Sequence, residues 1–558
     1  MVTRGTIALL QELEGLKLSY GGDAAVRKVA LMRALDRARF GRASALLRFH
    51  EVLCFMRAYP DGPELLAEAE RILAVFANRR DLRRHRAALA DSGVAGTTIY
   101  YSFYWPTAQW LAERWPEQLR IDWPTFENSE RLVEELPLIL PYTETLALDN
   151  YSAAPREWIE LLKQPGETDG AFLVKRFEQM PGDAFTREKR YEDLDVPYTL
   201  KSGPETPNRT DARFAGSKLV FQRRPLRLER PELPKELRRA PLAVLDVKPR
   251  EAEALIELAR ESMVTRARDL YSFKYSNPRD VRMIECGDGL QFACIGLVPE
   301  RRLMLEAVYA FLMLKNGVPI GYVLVSSLFN SAEIAYNVFE TFRGGESGYI
   351  YGRVLAAARH VFGADAFVID PYQLGHENSE GLKSGAWWFY YKLGFRPHDR
   401  EVLRIVDREL AAVRKNPRHR SDIPTLKRLA AAEVFYYTGR PRADVIGRLP
   451  LGEIGAAVSR YLAARFGAAR EEGMRVCSRE AMQLLGLKSL RGFDAHERQA
   501  WERWIPLVMA LDGVSGWTVA EKRALAAVVK AKGGRHESDF VRLFDSHRKL
   551  RRAVARIT

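Results

Sequence analysis

The chain has 558 residues, of which 47% are hydrophobic and 28% are charged, and its formal net charge is +14. This length corresponds to several domains of ordinary globular composition. No run of about 20 apolar residues occurs, so the sequence predicts no membrane-spanning helix. The four scattered cysteines argue against a disulfide framework or a zinc cluster and favour a reducing, cytoplasmic compartment. Only Cys286 and Cys294 are close enough in sequence to suggest a pair or a shared metal.

The positive charge is concentrated in residues 401–558, whereas residues 1–400 are close to neutral. This asymmetry favours either a polyanionic or acidic partner for the C-terminal part or an arginine-rich helical surface that is simply solvated. The terminal stretch Val541–Ile557 combines basic residues with an apolar stripe. It predicts an amphipathic helix that packs on its own domain or binds a nucleic acid or an anionic membrane.

Residues 1–150 are predicted to form a helical domain, because apolar residues recur there at spacings of three and four. Asp61-Gly-Pro63 indicates a turn followed by the start of a helix. Many aromatic residues lie between residues 97 and 125. They favour core packing over a ligand groove, because no arginine or lysine interrupts them before Arg114.

Prolines interrupt every regular pattern in residues 151–241, which predicts an extended connector without a core of its own. Ala171–Val174 and Lys218–Phe221 are possible short strands within it. The alternative is an arm that wraps around a neighbouring domain.

Residues 242–400 change to a mixed pattern, and residues 401–558 return to helices. The predicted elements are strands at 242–247, 334–339 and 366–370, a hairpin with its turn at Asn316-Gly317, and helices from Pro249 and after Arg343. The predicted fold class is therefore α+β, with a central mixed sheet and helices flanked by mainly helical N-terminal and C-terminal domains.

Two motifs in this central region point to a chemistry. Arg343-Gly-Gly-Glu-Ser-Gly348 follows a predicted strand and opens a predicted helix. Its backbone N–H groups are expected to converge on one spot, where they and the helix dipole bind a pyrophosphate. Further along, Ala386-Trp-Trp-Phe-Tyr-Tyr-Lys-Leu-Gly-Phe395 predicts an aromatic helix that ends at a glycine turn before a strand.

Together these motifs resemble the GNAT acyltransferase superfamily over residues 242–400. The resemblance rests on Phe389-Tyr-x-Lys-Leu-Gly-Phe395, on the lead-in Tyr336-x-Val-x-Glu-x-Phe-Arg343, and on the glycine turn. In that family a mixed sheet splays open and acyl-CoA lies in the gap. Glu346 departs from the family pattern, which has glycine there. A side chain at that position crowds the backbone, and a carboxylate repels a pyrophosphate.

The resemblance implies acetyl-CoA, or another acyl-CoA, as co-substrate, and no metal. The residues expected to bind it are Val338, Phe339, Glu340, Arg343, Gly344, Gly345, Glu346, Ser347, Gly348 and Asn378. Tyr390 is implied as the acid that protonates the CoA sulfur, with a core aromatic as the alternative role. A backbone N–H on the strand near Val338–Glu340 is implied as the oxyanion donor, and Asn378 has a second reading as a loop cap.

The base that accepts the proton of the amine is assigned first to Glu333, at the start of the splayed strand. Asp370 and His376 are the next candidates, and Asn337 is a candidate for orienting the amine. The predicted function is acyl-CoA-dependent N-acylation of an unidentified amine acceptor. Protein, peptide and tRNA acceptors stay open, because small-molecule acetyltransferases rarely carry flanking regions this large. The alternative is a non-catalytic GNAT-like scaffold whose basic C-terminal part binds nucleic acid or a protein partner.

Overall fold

A computed structural model of the chain describes residues 2–149 and 153–557. The chain divides into two compact units. The first comprises Met1–Pro225, Glu253–Tyr275 and Lys315–Pro319, and the second comprises Leu226–Ala252, Ser276–Leu314 and Ile320–Thr558. The predicted connector, 151–241, is therefore shared between the two units.

The first unit begins with a layer of helices. They are α1 (Val2–Leu16), α2 (Gly22–Arg37), α3 (Ala43–Ala58), α4 (Pro63–Ala74) and α5 (Arg80–His85). Their shared core contains Leu46, Phe49 and Leu53, each fully buried. The helical periodicity and the predicted helix start at Pro63 are confirmed.

A second core in this unit packs against an antiparallel sheet and contains the aromatic cluster. Its elements are β1 (Ile99–Ser102), α6 (Trp105–Arg114), β2 (Leu119–Ile121), α7 (Leu132–Ile139), α8 (Tyr142–Asp149), α9 (Pro155–Leu162), α10 (Asp169–Gln179), α11 (Ala184–Leu194) and β3 (Pro197–Leu200). The strand order is β1-β3-β2. Trp105, Trp110 and Trp115 are buried in this core, so the core-packing interpretation is confirmed.

The predictions for the connector are wrong in three respects. Ala171–Val174 belongs to α10, where the hydroxyl of Thr168 accepts a hydrogen bond from the N–H of Ala171 at 3.1 Å and caps the helix. Lys218–Phe221 forms no regular structure. Residues 155–194 are mostly helical and have a core, because Ile159 and Phe172 pack into the second core of the first unit. Residues 201–242 contain turns and irregular chain, in which the short helix α12 (Leu233–Glu236) is embedded.

The second unit is built on a mixed sheet. Its strands are β4 (Ala243–Asp246), β5 (Ser276–Gly287), β6 (Leu290–Leu297), β7 (Ala307–Lys315), β8 (Val318–Leu328), β9 (Ser331–Val338), β10 (Ala366–Ile369), β11 (Arg396–Pro397) and β12 (Val434–Tyr437). Their order across the sheet is β11-β12-β10-β9-β8-β7-β6-β5-β4. The predicted hairpin is confirmed, because Asn316 and Gly317 join β7 to β8 with φ angles of 52° and 79°, as a two-residue Asn-Gly turn requires.

The remaining helices follow in chain order. They are α13 (Pro249–Val264) and α14 (Tyr271–Lys274), largely in the first unit, and α15 (Ser347–Phe362), α16 (Pro371–Leu374), α17 (Ser379–Ser384), α18 (Ala386–Leu393), α19 (Arg400–Lys415), α20 (Ile423–Leu429), α21 (Leu451–Phe466), α22 (Arg470–Leu485), α23 (Ala495–Ala510), α24 (Val519–Lys532), α25 (Glu537–Ser546) and α26 (Arg548–Ala555) in the second. Among the described residues, none of these helices combines the length and the apolar character needed to cross a membrane.

The C-terminal part, residues 401–558, is mainly helical as predicted, but it also contains one strand that the sequence analysis did not predict. The strand β12 lies within it and pairs antiparallel with both β10 and β11. The pairing that the spacing of Cys286 and Cys294 would allow does not form, since both are buried free thiols. Burial raises the pKa of each thiol to about 12. In the described part of the chain, no group of three or more histidine, cysteine or acidic side chains is arranged to hold a metal ion.

Candidate active site

The strands β9 and β10 run parallel and then part. They pair only over Ser331–Glu333 of β9, and β10 offers no partner to the rest of β9 within the described residues. On its other side, β9 stays paired with β8 as far as Val338. A gap therefore opens in the sheet beyond Glu333.

Part of the backbone of β9 faces this gap. The N–H of Phe339 donates to the carbonyl of Ile320 at 3.0 Å. Because hydrogen-bonded and non-hydrogen-bonded residue pairs alternate along an antiparallel ladder, this bond identifies which residues of β9 bond to β8. The polar backbone groups of Ile334, Tyr336 and Val338 consequently point away from β8. Phe339 was among the predicted CoA-binding residues, but its N–H is committed to β8.

The predicted phosphate cradle lies where the chain leaves β9 and enters α15. Gly344, with a φ of +81°, and Gly345 form the turn, and the exposed Glu340 begins the single-turn helix before it. The amides of residues 347–349 are the first of α15 and lack an acceptor within the helix. The side chain of Glu346 does not cap them. Three N–H donors and the positive end of the helix dipole thus converge beside the gap.

The carboxylate of Glu346 is directed elsewhere. Glu346 is only 5% exposed, and its Oε1 accepts a hydrogen bond from the backbone N–H of Arg227 at 3.3 Å. The repulsion expected between this carboxylate and a pyrophosphate is therefore reduced by a partner outside the cradle.

Arg227 belongs to a segment, Leu226–Ala240, that we call the strap and that lies along α15. The guanidinium of Arg227 is 4.3 Å from the ring centre of Tyr349. Arg353, which is 1% exposed, donates hydrogen bonds to the last two carbonyl groups of the strap at 2.7 and 3.1 Å. The strap fits the alternative reading of the connector as an arm.

Gly348 has a packing role in this arrangement. A Cβ atom added to it would lie 3.1 Å from Cδ of Pro231, and one added to Gly352 would lie 3.2 Å from Cγ of Glu236. Both glycines therefore let the strap approach the helix closely. The sequence offered only the phosphate explanation for Gly348.

Tyr390 lies in a buried cluster of aromatic rings at the gap. The ring of Tyr351 is 5.1 Å from that of Tyr336 and 5.6 Å from that of Tyr390, and Phe389 and Phe395 complete the cluster. Burial raises the pKa of Tyr390 well above its ordinary value, so its hydroxyl stays protonated at neutral pH. A protonated phenol can donate a proton, and the upward shift adds nothing to this role, because a general acid works best when its pKa lies near the operating pH.

The structure brings the cradle and Tyr390 to the same part of the gap. The hydroxyl of Tyr336 donates to the carbonyl of Ser347 at 2.9 Å, and Tyr336 contacts Tyr351, which contacts Tyr390. Two buried polar atoms, the hydroxyl of Tyr351 in this cluster and Oδ1 of Asn337 on the other face of β9, have no hydrogen-bond partner among the described residues. Unpartnered buried polar atoms are uncommon and mark places where a ligand or water is expected.

Tyr351 was missed by the sequence reasoning. Its only signal is its position four residues after Ser347, which places it on the same face of α15 as the start of the cradle.

Glu333 lies at the point where the two strands part. Burial, followed by the nearby carboxylates of Asp370, Glu306 and Glu433, raises its pKa from 4.5 to about 7. None of these four acidic residues forms an ion pair with a basic residue of the described chain. A carboxyl with a pKa near neutrality is suited to accept a proton at physiological pH.

The other predicted polar residues are engaged in local structure. Oδ1 of Asp370 accepts the N–H of Tyr372 at 2.8 Å and caps α16, and His376 is exposed. Oδ1 of Asn378 accepts the N–H of Gly381 at 3.0 Å and caps α17, which is the alternative role expected for it.

Arg343 joins the cradle to its surroundings. Its Nε donates to the carbonyl of Val338 at 3.0 Å, and its Nη2 is 2.5 Å from the carboxylate of Glu380 on α17. The arginine therefore satisfies a backbone carbonyl at the gap, and the neighbouring Glu380 offsets its charge.

Comparisons of the chain with protein-family models, with curated proteins and with solved structures give no match.

Glu333→Gln tests the electrostatics of the gap. Because the folded state raises the pKa of Glu333, the protonated carboxyl stabilises the fold below about pH 4.5, and this contribution is lost as the pH rises through about 7. Between about pH 4.5 and pH 8.5, the free energy of unfolding of the wild type should fall relative to that of Glu333→Gln by on the order of 3 kcal/mol. Urea unfolding at the two pH values measures this difference.

Glu340→Gln is the matched control, because Glu340 is an exposed carboxylate shortly after β9. A difference between wild type and Glu333→Gln that does not change with pH would show that Glu333 titrates as an ordinary solvated carboxyl.

Proposed function

We propose that the chain is an acyl-CoA-dependent N-acyltransferase with a GNAT-like core, and that acetyl-CoA is its simplest co-substrate. The observation that carries this proposal is the gap between β9 and β10, considered together with the amides of residues 347–349, which have no acceptor within α15, the hydroxyl of Tyr390 and the carboxyl of Glu333. The sequence resemblance implies a mixed sheet that splays open, and the end of the pairing between β9 and β10 at Glu333 supports this proposal. The strand β12 extends this core beyond residue 400.

The groups around the gap suit the two parts of CoA. The pyrophosphate is suited to the N-terminus of α15, where N–H donors and the helix dipole meet. The pantetheine arm carries amides, and an extended amide chain pairs with the free edge of a strand through backbone hydrogen bonds. The polar backbone groups of Tyr336 and the N–H of Val338 form such an edge. The unpartnered hydroxyl of Tyr351 is a further donor at this edge.

Glu333 and Tyr390 have complementary roles in the proposed reaction. Glu333 and Asn337 lie on one face of β9 and Tyr336, with the phenol cluster, on the other, because side chains alternate along a strand. Glu333 takes a proton from the attacking amine, the bond from nitrogen to the acyl carbon forms, and the bond from that carbon to sulfur breaks. Tyr390 gives its proton to the departing sulfur. The base and the acid thus approach the thioester from opposite faces of the gap.

Ser347→Glu tests the cradle without disturbing the helix. A carboxylate in the first turn stabilises a helix but repels a pyrophosphate. Millimolar CoA should raise the melting temperature of the wild type and of the uncharged Ser347→Gln control, by mass action, and should leave Ser347→Glu unchanged. Differential scanning fluorimetry measures the three shifts.

Two results would refute this cradle assignment. One is the absence of any CoA-dependent shift in the wild type, and the other is an equal shift in all three proteins. Gly348→Asp would be a poorer probe, because its side chain also meets Pro231 of the strap.

Tyr390→Phe tests the proposed acid. Removing the proton donor should lower kcat by roughly 100-fold or more and leave the Kd for CoA unchanged. Turnover is followed as release of the CoA thiol from acetyl-CoA with a panel of amines, and the Kd by calorimetry. The control is Tyr391→Phe, which removes the hydroxyl of the neighbouring, half-buried ring on α18. A parallel loss of affinity and turnover in Tyr390→Phe would make Tyr390 a packing residue.

A further inference from the structure

The helix α19 presents a mainly basic face to solvent. Its apolar face is buried through Val402, Ile405 and Val406. The opposite face is formed by four exposed basic residues spaced at four and seven positions, Arg400, Arg404, Arg408 and Lys415. Over the 16 residues of α19 these charges cover about 23 Å at the rise of an α-helix.

The charge continues through the turn into α20. We call residues 400–429 the basic hairpin. It also contains the exposed residues Arg414, Arg418, Arg420, Lys427 and Arg428. Of its arginines and lysines, only Arg428 forms an ion pair with a carboxylate of the described chain, that of Glu401 at 2.7 Å.

The acidic residues of the basic hairpin do not neutralise this face. The carboxylate of Glu409 accepts the hydroxyl of Ser421 at 2.5 Å and contacts His419 at 2.8 Å. Asp422 accepts the N–H of Thr425 at 2.9 Å and caps α20. Glu401 is held by Arg428, which leaves Asp407 as the remaining exposed acid. These contacts also fix the turn between the two helices, so the basic side chains project from a preorganised support.

We propose that the basic hairpin is a docking surface for the phosphate backbone of a nucleic acid. Phosphates of a duplex follow one another every 3.4 Å along each strand, so the length of α19 matches about seven of them. Arginine outnumbers lysine on this surface, and the planar guanidinium pairs with phosphate through two parallel hydrogen bonds. The contacts are to the backbone, so the surface positions a nucleic acid without reading its sequence.

The basic hairpin adjoins the candidate active site. The helix α20 packs against α17, which carries the Glu380 partner of Arg343. The indole N–H of Trp388 on α18 donates to the hydroxyl of Ser421 at 3.0 Å. A nucleic acid on this surface therefore lies next to α17 and α18. The inference goes beyond the proposed transferase and does not depend on it.

The test is fluorescence anisotropy of the full-length chain with labelled RNA and DNA of about 20 nucleotides, single-stranded and duplex, at low salt. The variant Arg404→Glu/Arg408→Glu/Lys415→Glu reverses three charges of the basic face. The matched control, Arg548→Glu/Arg552→Glu/Arg556→Glu, reverses three exposed charges at the C-terminus and changes the net charge equally. We expect the first variant to weaken binding at least tenfold and the control to weaken it less than twofold.

Salt dependence of the wild type is a second readout that needs no variant. Four phosphate contacts on a single strand should weaken binding by about 50-fold between about 50 and 200 mM salt. Equal losses in the two variants, or no binding at low salt, would overturn the proposal. Binding to vesicles rich in phosphatidylserine, with none to nucleic acid, would overturn it in favour of an anionic membrane. The CoA-induced thermal shift should be the same in the basic-face variant and in the wild type. This measurement distinguishes failure of the nucleic-acid proposal from failure of the transferase proposal.

Discussion

The separation of β9 from β10 is the constraint on which the site depends. Buried backbone N–H and C=O groups need hydrogen-bond partners, and a strand that loses its neighbour leaves a row of them without one. At the end of β9 the carbonyl of Val338 is satisfied by Nε of Arg343. The same arginine directly precedes the glycine turn that leads into α15. Arg343 therefore both satisfies the last carbonyl of the strand and begins the predicted cradle. Tyr336 and Tyr351 then fill the side of the gap nearest to this turn.

The first turns of α15 lie between the end of β9 and the strap. Its first turn follows the end of β9, and its outer face packs against the strap through Gly348 and Gly352. Glu346 fits this double arrangement, because its buried carboxylate is held by the strap and not by the helix it precedes. A glutamate that argues against phosphate binding in the sequence thus has a structural role of its own, because its carboxylate accepts a hydrogen bond from the strap and does not cap α15.

Local signals in the sequence predicted much of this fold, whereas features that depend on contacts between distant residues were not predicted. The Asn316-Gly317 turn and the helix starting near Ser347 were found because turn chemistry and glycine placement act over a few residues. The run Ala171–Val174 was misread, because a short apolar run does not distinguish a strand from a buried helix. Pro155 was interpreted as a residue that interrupts regular structure, but it occupies the first turn of α9, where proline is favoured. Strand β12 was not predicted, because its four residues form a strand only through pairing with β10 and β11.

In the candidate site, too, local features could be predicted from the sequence and long-range features could not. The positions of the glycine turn and of Tyr390 follow from motifs, whereas the end of strand pairing at Glu333 and the contact of Tyr351 with Tyr390 depend on the register of the sheet. The raised pKa of Glu333 likewise comes from carboxylates on three other parts of the second unit, which no local pattern reveals.

The most direct test of the central claim is a crystal structure of the chain with CoA. The claim predicts pyrophosphate oxygens within hydrogen-bond distance of the amides of residues 347–349, and the pantetheine arm along Ile334–Val338 with its sulfur near the hydroxyl of Tyr390. CoA bound elsewhere, or a gap closed by Tyr351 and Tyr390 in crystals grown with saturating CoA, would contradict it.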